Sequence, residues 1–465
     1  MVFSIPDRFR DAEMVLKGGI IVTPQGKFRS GIVVRNGKIA SLTSSSQLPQ
    51  AKKVIDCEGF LILPGIIDAH VHFMDPGQTH REDFTTGSTA AASGGVTLVM
   101  DMPMTSPPVS SAAVFEEKRK MAEAKSLVDF CLLAMATNKN LGELDRIQAL
   151  GAASIEVFPA NFWPSTTLPE ELVLSSDYAA VKALTRIGEI GGVAGVLPDM
   201  EELRVRLIRE LMDSGRKDLQ AWSESKPDYY EVSALAKFLG LLQYVDTKAV
   251  LRQLTTAGSM EVLEALWRED IHVEVDVQNL TLTEERLKEI GPYAKTNPPL
   301  KTKRDVAALW EALQTGWVDY VASDHGPCMP EDKERGWKNV WESTSGMLGV
   351  ETLLPLMLNH VNARRLSLEH LVALLSENPA RTHGIYPRKG VIRPGADADF
   401  TVVDMKKQEV IQGKKLHSKL KWTPYEGFEV KGWPIHTIVR GQLVMENDEI
   451  VGKPGCGRFI PAGHS

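Results

Sequence analysis

The spacing of apolar and polar positions changes twice along the chain and divides it into three parts. Residues 14–56 form short apolar runs separated by turn residues, which predicts a small antiparallel β unit. The dipeptide Asn36-Gly37 lies between two of these runs and is a favoured hairpin turn. The same pattern of short apolar runs separated by turns is found near the C-terminus, in residues 390–392, 399–404, 435–441 and 443–445. We therefore expect both ends of the chain to build one sheet domain.

Between the two ends, apolar runs alternate with amphipathic stretches, which is the pattern of parallel βα units. Eight apolar runs read as strands: 60–73, 96–100, 128–134, 154–158, 193–197, 250–254, 271–276 and 318–323. Amphipathic spacing predicts helices that include 111–124, 260–267, 304–313 and 368–375, the last with Ser367 as its N-cap. Strand and helix units in this number predict a closed barrel.

The predicted fold class is α/β, a (β/α)8 TIM barrel with a small β-sandwich domain built from the N- and C-terminal segments. The predicted domains are residues 1–64 plus 386–465 for the sandwich and residues 65–385 for the catalytic barrel. A length of 465 residues suits this organisation, because an α/β barrel of about 250 residues counts as one domain.

Composition excludes several classes of partner. The net charge of -7, without a run of lysines or arginines, predicts neither nucleic-acid nor anionic-membrane binding. No apolar stretch approaches the length of a membrane span, and the N-terminus lacks a signal-peptide pattern. The four cysteines are widely scattered, which favours reduced thiols over a disulfide framework. We therefore expect a soluble protein of the cytoplasm.

Candidate chemistry begins with His70 and His72, at the end of the first predicted barrel strand. Alternate residues of a strand point to the same side, so both imidazoles are aimed at one place. Asp324 ends the last predicted strand and is therefore at the same mouth of the barrel. In such folds the active-site residues lie at this end of the strands. Two imidazoles and one carboxylate, with a position left for water, are typical of a catalytic zinc-type site. Asp324 is also the natural base for a water proton.

The residues around this site carry a family resemblance. The stretch 63–77, Leu-Pro-Gly-Ile-Ile-Asp-Ala-His-Val-His-Phe-Met-Asp-Pro-Gly, resembles the cyclic amidohydrolases of the amidohydrolase superfamily, allantoinase above all, with dihydroorotase and hydantoinase beside it. Further similar segments are 79–84, 94–97, 101–103, 296–300, 323–325, 377–381, 394–399, 424–427 and 457–459. The resemblance implies a barrel beside a sandwich, and hydrolysis that opens the C–N bond of a cyclic amide.

Departures from the family pattern bear on the metal. Members typically hold one ion on the histidine pair and last-strand aspartate, and a second on two further histidines, bridged by a carbamylated lysine. Here Glu156 stands at the lysine position, Gln253 replaces one histidine, and none follows residues 193–197. We interpret this as one divalent ion per chain, zinc or alternatively manganese, on His70, His72 and Asp324. Glu156 is predicted as a further metal ligand, which would complete that site or hydrogen-bond its water; the alternative is that it pairs with a nearby cation.

Substrate contacts are also implied by the resemblance. Met74 stands where dihydroorotases usually carry an arginine for the substrate carboxylate, so dihydroorotate is not expected. Asn297 and residues 102–108 resemble substrate-contact loops. A one-metal site needs another electrophile, for which His325, His80 or a backbone N–H are candidates. The predicted substrate-binding residues are Met74, Asn297 and His325, and the substrate is a cyclic ureide, imide or lactam.

Two other readings stay open at this point. The missing ligands also fit a metal-poor, non-catalytic paralogue that acts as a scaffold, and the same barrel supports decarboxylation elsewhere. We expect a homodimer or homotetramer, since closed symmetric assemblies are usual among soluble enzymes.

Overall fold

Both ends of the chain supply strands to the same sheet, as predicted. In the computed structural model, which describes residues 12–159, 172–174 and 176–463, seven strands precede the barrel. They are β1 (Ala12–Lys17), β2 (Ile20–Thr23), β3 (Gly26–Arg29), β4 (Gly31–Arg35), β5 (Lys38–Thr43), β6 (Ala51–Asp56) and β7 (Leu61–Pro64). Among the described residues, nine strand elements then form the barrel wall; they count as eight strands, because one strand is split in two.

The barrel strands are β8 (Ile66–Val71), β9 (Val96–Asp101), β10 (Asp129–Leu132), β11 (Ala134–Met135), β12 (Ile155–Val157), β13 (Val193–Val196), β14 (Lys248–Leu251), β15 (Ile271–Asp276) and β16 (Tyr320–Ala322). Each pairs with its neighbours in parallel, except that β10 and β11 are two halves of the third strand. A parallel bridge between Val71 and His325 sets the last strand beside the first. The predicted α/β barrel is thereby confirmed.

The C-terminal strands are β17 (Phe400–Val410), β18 (Glu429–Val439), β19 (Gln442–Glu446) and β20 (Glu449–Ile450). They continue a seven-stranded sheet in which β17 runs antiparallel to β7 and β7 runs parallel to β2. The other sheet has the order β5-β4-β1-β6. The predicted sandwich from both chain ends is therefore confirmed, whereas its residue bounds stay a prediction.

Two local predictions in the sandwich have opposite outcomes. Asn36 and Gly37, with φ of 51° and 70°, form the predicted hairpin turn between β4 and β5. A strand at residues 390–392 was expected, and that expectation is wrong. Gly390 has φ of 77°, and a Cβ there would lie 2.5 Å from the carbonyl oxygen of Ser376. The backbone turns tightly at this point because the chain passes against a helix, and it cannot extend.

The helices alternate with the barrel strands. They are α1 (Phe84–Ser93), α2 (Ala112–Lys125), α3 (Leu144–Ala149), α4 (Asp177–Glu189), α5 (Glu201–Asp213), α6 (Leu219–Glu224), α7 (Asp228–Leu242), α8 (Ala257–Leu266), α9 (Val277–Thr281), α10 (Arg286–Ile290), α11 (Lys303–Thr315), α12 (Pro330–Glu334), α13 (Leu353–Asn362), α14 (Leu368–Val372) and α15 (Asn378–Thr382). The predicted cap of α14 is confirmed, since the Ser367 hydroxyl accepts from the His370 N–H at 3.1 Å. Within the described residues, no helix has the length and apolarity needed to cross a bilayer.

A buried group of charges joins the barrel to the sandwich. The Lys389 ammonium lies 2.5 Å from Asp129 in β10 and 2.6 Å from Asp399 beside β17. It also lies 3.1 Å from Asp397, which Lys38 of β5 reaches at 2.7 Å. The three carboxylates are close enough to one another to hold a cation. Because Lys389 already stands among them, we assign them a structural role and call them the Lys389 cluster.

Candidate active site

Three of the predicted site residues meet at the C-terminal mouth of the barrel. His70 lies in β8, His72 follows that strand, and Asp324 comes two residues after β16. The Nε2 atoms of His70 and His72 each lie 3.3 Å from Oδ1 of Asp324. The structure therefore brings the three groups to one point, as a shared ligand would require.

Backbone contacts hold the two strand ends together. The Ser323 N–H donates to the buried carboxylate of Asp68 at 3.0 Å, and the His72 N–H donates to the carbonyl of His325 at 2.9 Å. Asp324 itself has φ of 43°, in the left-handed region that residues other than glycine rarely adopt. Its neighbours thus impose the backbone turn that aims the carboxylate at the imidazoles.

Glu274 orients the first imidazole. Its Oε1 lies 2.7 Å from Nδ1 of His70, so a neutral ring that donates there keeps the lone pair of Nε2 for a metal. Burial alone lowers the pKa of His70, but Glu274 and then Asp324 outweigh burial and raise it to about 9. Burial lowers the pKa of His72 instead. The structure places Glu274 fully buried in the site.

Glu156 is not brought to the other three groups. Both of its oxygens accept from Arg252, at 2.7 Å from Nε and 2.8 Å from Nη2, and the Ser154 hydroxyl donates at 2.6 Å. Nη1 of Arg252 lies 2.5 Å from the second oxygen of Glu274. The structure therefore places Glu156 in the alternative role, paired with a cation. Arg252 was not predicted as a site residue, although its place beside Gln253 at the end of β14 was a signal for it.

The side chain of Gln253 is buried in the site and forms hydrogen bonds with two carboxylates. Its Nε2 donates to Asp276 at 2.9 Å and to Oδ2 of Asp324 at 3.0 Å. The amide therefore fixes the oxygen of Asp324 that does not face the imidazoles. Asp276 is buried, and burial together with the charge of Asp324 raises its pKa well above the usual range.

A cavity of about 170 Å³ opens above these groups. Besides the three converging residues, its walls include Met74, Gln78, Arg81, Met102, Met104 and Asn297. Two of the predicted substrate contacts thus lie where they could touch a ligand.

His325 is not brought to this cavity. It is 1% exposed, and its Nδ1 accepts from the N–H groups of Gly349 and Val350 at 3.2 and 3.4 Å. Its Nε2 faces Glu82 at 3.5 Å. His80 is exposed and absent from the cavity lining. Neither histidine is placed to act on a ligand in the cavity.

Arg81 also lines the cavity and was not among the predicted site residues. Its Nε donates to the carbonyl of Pro327 and its Nη1 to Oε1 of Gln78, both at 2.7 Å. Within the described ranges, no carboxylate forms an ion pair with it. The cavity wall therefore carries a positive charge, at Arg81, that no described carboxylate pairs with.

The model of the family described as "Amidohydrolase family" matches residues 61–185 and 243–444, which is more than half of the chain and contains His70, His72 and Asp324. The chain belongs to the amidohydrolase family. The L-hydantoinase structure from Arthrobacter aurescens superposes on this amidohydrolase with a TM-score of 0.93 at 33% identity, over 97% of this chain and 100% of that one.

Curated relatives of this amidohydrolase carry three different activities. The L-hydantoinase of Paenarthrobacter aurescens is 33% identical over 96% of this chain and 98% of its own. The dihydroorotase of Methanothermobacter thermautotrophicus is 36% identical over 93% and 94%. The allantoinase of Deinococcus radiodurans is 32% identical over 96% and 98%. The resemblance to cyclic amidohydrolases is confirmed, and it does not single out allantoinase among them.

The donor set of this amidohydrolase fits a divalent ion. Two imidazole nitrogens and a carboxylate oxygen converge on one point, one imidazole is oriented by a carboxylate behind it, and the cavity leaves room for water. His70, His72 and Asp324 are therefore the residues that would hold the ion.

Proposed function

We propose that this amidohydrolase opens the C–N bond of a cyclic ureide, imide or lactam, using one divalent ion held by His70, His72 and Asp324. The observation that carries the proposal is the convergence of both Nε2 atoms on Oδ1 of Asp324, at the base of the cavity. Two imidazoles and a carboxylate suit zinc, with manganese as the alternative. Glu156 and His325 have no part in the proposed reaction.

The buried charges support a single ion. Four carboxylates surround the site, those of Glu156, Glu274, Asp276 and Asp324, and Arg252 is the one guanidinium ion-paired with them in the described chain. The negative surplus favours a cation beside Asp324. Arg252 nevertheless takes both oxygens of Glu156 and one of Glu274, so these groups offer little to a second ion. In this reading, the guanidinium neutralises the place that a second metal would need.

The reaction uses few groups. A bound divalent ion supplies an acidified water and polarises the substrate carbonyl. Asp324 takes a proton from the attacking water and returns it to the ring nitrogen as the C–N bond breaks. The products are a carboxylate and an N–H group that belongs to an amine after a lactam, an amide after an imide and a urea after a ureide. Gln253 holds Oδ2 of Asp324 in place during both transfers. The apolar walls of Met74, Met102 and Met104 shield the ring from bulk water.

The test is a screen of cyclic ureides, imides and lactams against the metal-loaded protein. A product heavier than its substrate by one water supports the proposal. Release of carbon dioxide instead would identify a decarboxylase. Protein that holds no stoichiometric metal, and that turns over no ring, would identify the scaffold paralogue.

Metal content gives a direct prediction. Protein purified without chelator should contain about one divalent ion per chain on His70, His72 and Asp324. The neighbouring group of His70, Glu274 and Asp276 shares His70 with that set and has Glu274 bound to Arg252, so it should not hold a second ion. Gln253→His should leave that number unchanged, since one added imidazole does not replace a bridging carbamate and two histidines. Elemental analysis is the measurement, and two ions per chain in the unaltered protein would refute the single-ion proposal.

Metal uptake should also release a proton. In the ion-free protein the raised pKa of His70, about 9, keeps its imidazole protonated at pH 7, whereas metal binding requires the neutral ring. Affinity should therefore rise about tenfold per pH unit up to the pKa and level off above it. Titration calorimetry in two buffers of different ionisation enthalpy measures this release. Equal heats in both buffers would contradict the prediction.

Arg81 widens the proposed substrate class to rings that carry a carboxylate. Its guanidinium can pair with a carboxylate on the substrate, which the side chain of Met74 cannot do. We expect orotate to inhibit more strongly than uracil. Arg81→Gln should reduce this preference by at least about tenfold, which corresponds to the loss of one charge-assisted hydrogen bond. Inhibition constants for the two rings measure it. Equal inhibition of the unaltered protein would leave neutral rings as the substrates.

Assembly and location are proposals of the same kind. We propose a homodimer or homotetramer, as is common for closed symmetric assemblies. Light scattering that finds only a 51.3 kDa particle at micromolar concentration would count against this. A cytoplasmic location is supported by the four cysteines, all of which are free thiols. Cell fractionation with an antibody to the native protein tests it.

A further inference from the structure

Lys226 lies behind the cavity wall and contacts a residue of the cavity. It is 5% exposed, and its Nζ donates to Oδ1 of Asn297 at 2.6 Å. The nearest carboxylate, Asp199, lies 3.7 Å away and is shared with Arg204 at 3.3 Å. The short contact of this buried ammonium is therefore with an amide oxygen.

The ammonium decides which way the amide faces. A lysine carries donors and no acceptor, so the atom of Asn297 beside it must be the oxygen. The Nδ2 group is then left on the other side of the amide. Asn297 lines the cavity, and within the described chain no residue accepts a hydrogen bond from its Nδ2. Two N–H donors of fixed orientation are thus presented to a ligand.

Lys226 itself does not line the cavity. It borders a much smaller adjoining space with Asp199, Tyr230 and Pro298. Its effect on a ligand would therefore pass through Asn297. Burial lowers the pKa of Lys226 to about 8, so the ammonium form predominates at pH 7.

The segment that carries Asn297 is held by further side chains. The Lys301 ammonium donates to the Lys226 carbonyl at 2.5 Å, and the Trp222 indole donates to the Thr296 carbonyl at 2.7 Å. Lys295 donates to the Val340 carbonyl at 2.8 Å. With its backbone fixed on both sides, Asn297 has its amide rotation as the main remaining freedom, and Lys226 removes it.

We infer that Lys226 is a positioning residue for substrate binding: it holds the Asn297 amide so that Nδ2 donates to a second carbonyl oxygen of the ring, the one that is not attacked. The inference rests on the proposed function for the placement of the attacked carbonyl. It favours imides and ureides, which have a second carbonyl, over simple lactams, which have none. The neighbouring charge also polarises the amide and strengthens its donation.

Succinimide and 2-pyrrolidinone form a matched pair of probes, because they differ by one carbonyl in place of a methylene. We expect metal-loaded protein to bind the imide about tenfold more tightly than the lactam, as one added hydrogen bond allows. Lys226→Met should remove this preference by weakening imide binding, with lactam binding changed less than about twofold. Calorimetry measures both affinities. For a ring that is turned over, the change should appear in KM rather than in kcat.

Asn297→Asp provides a second variant of nearly the same shape. It keeps an oxygen for Lys226 but loses both N–H donors, so it should lose the imide preference with Lys226 in place. Lys226→Arg, which retains a donor, should keep the preference. Equal weakening of both rings by Lys226→Met would show a merely structural lysine and overturn the inference, as would an imide preference that survives Asn297→Asp. A protein that hydrolyses no ring, yet binds the imide in this Lys226-dependent way, would overturn only the hydrolase proposal. A protein that binds neither ring would overturn the inference, whereas turnover of another ring in the screen would still support the hydrolase proposal.

Discussion

Asp324→Asn should lower kcat/KM by about 10⁴-fold, the upper range for loss of a positioned acid–base group. The amide keeps the size of the carboxylate but cannot accept the water proton. It also has one oxygen where two are used, one facing His70 and His72 and the other accepting from Gln253. We expect the metal content to fall together with the activity.

Asp319→Asn is the matched control for this change. Asp319 precedes β16 in the same segment and pairs with His272 at 2.9 Å, at the opposite end of the strand from Asp324. Activity should change less than about threefold there, since surface-type pairs contribute little. If Asp324→Asn kept activity within tenfold of the unaltered enzyme, Asp324 would be neither the base nor a required ligand.

The second large effect concerns stability. Arg252→Met should lower the free energy of unfolding by about 3–5 kcal/mol, because it leaves buried carboxylates without their cation. Glu156 and Glu274 are both fully buried, and both accept from this guanidinium. Urea unfolding followed by circular dichroism measures the change.

Two further variants isolate the buried pair. Arg186→Met removes an arginine from a surface cluster with Asp145 and Glu189, and should leave the free energy of unfolding nearly unchanged. Adding Glu156→Gln to Arg252→Met should restore part of the lost stability, because it removes one of the stranded charges. A loss below 1 kcal/mol for Arg252→Met alone would mean that water or a metal already compensates these carboxylates.

The fold and the three converging groups were predictable because they depend on local periodicity. Alternation along a strand puts His70 and His72 on one side, and the end of a strand puts Asp324 at the same mouth. Both placements follow from the sequence without knowledge of the order of the strands in the barrel.

The remainder of the site depends on contacts across the barrel. Arg252 and Glu156 are 96 residues apart in sequence, and their pairing follows from the order of the strands and from Gly195, where a Cβ would lie 2.1 Å from the Glu156 carboxylate. His325 looked functional because it adjoins Asp324. Its ring instead accepts hydrogen bonds from the N–H groups of Gly349 and Val350. No spacing of residues in the sequence predicts these contacts.

The Lys389 cluster limits how far the barrel can be treated as a module. Excision at the sequence-based boundary, residues 65–385, would remove Lys389 and Arg440, the two cations that contact the fully buried Asp129. A stranded buried charge costs several kcal/mol, a large part of the stability of an ordinary domain. Gene fusions, domain swaps and minimal catalytic fragments of this enzyme should therefore carry both chain ends, however far they lie from the chemistry.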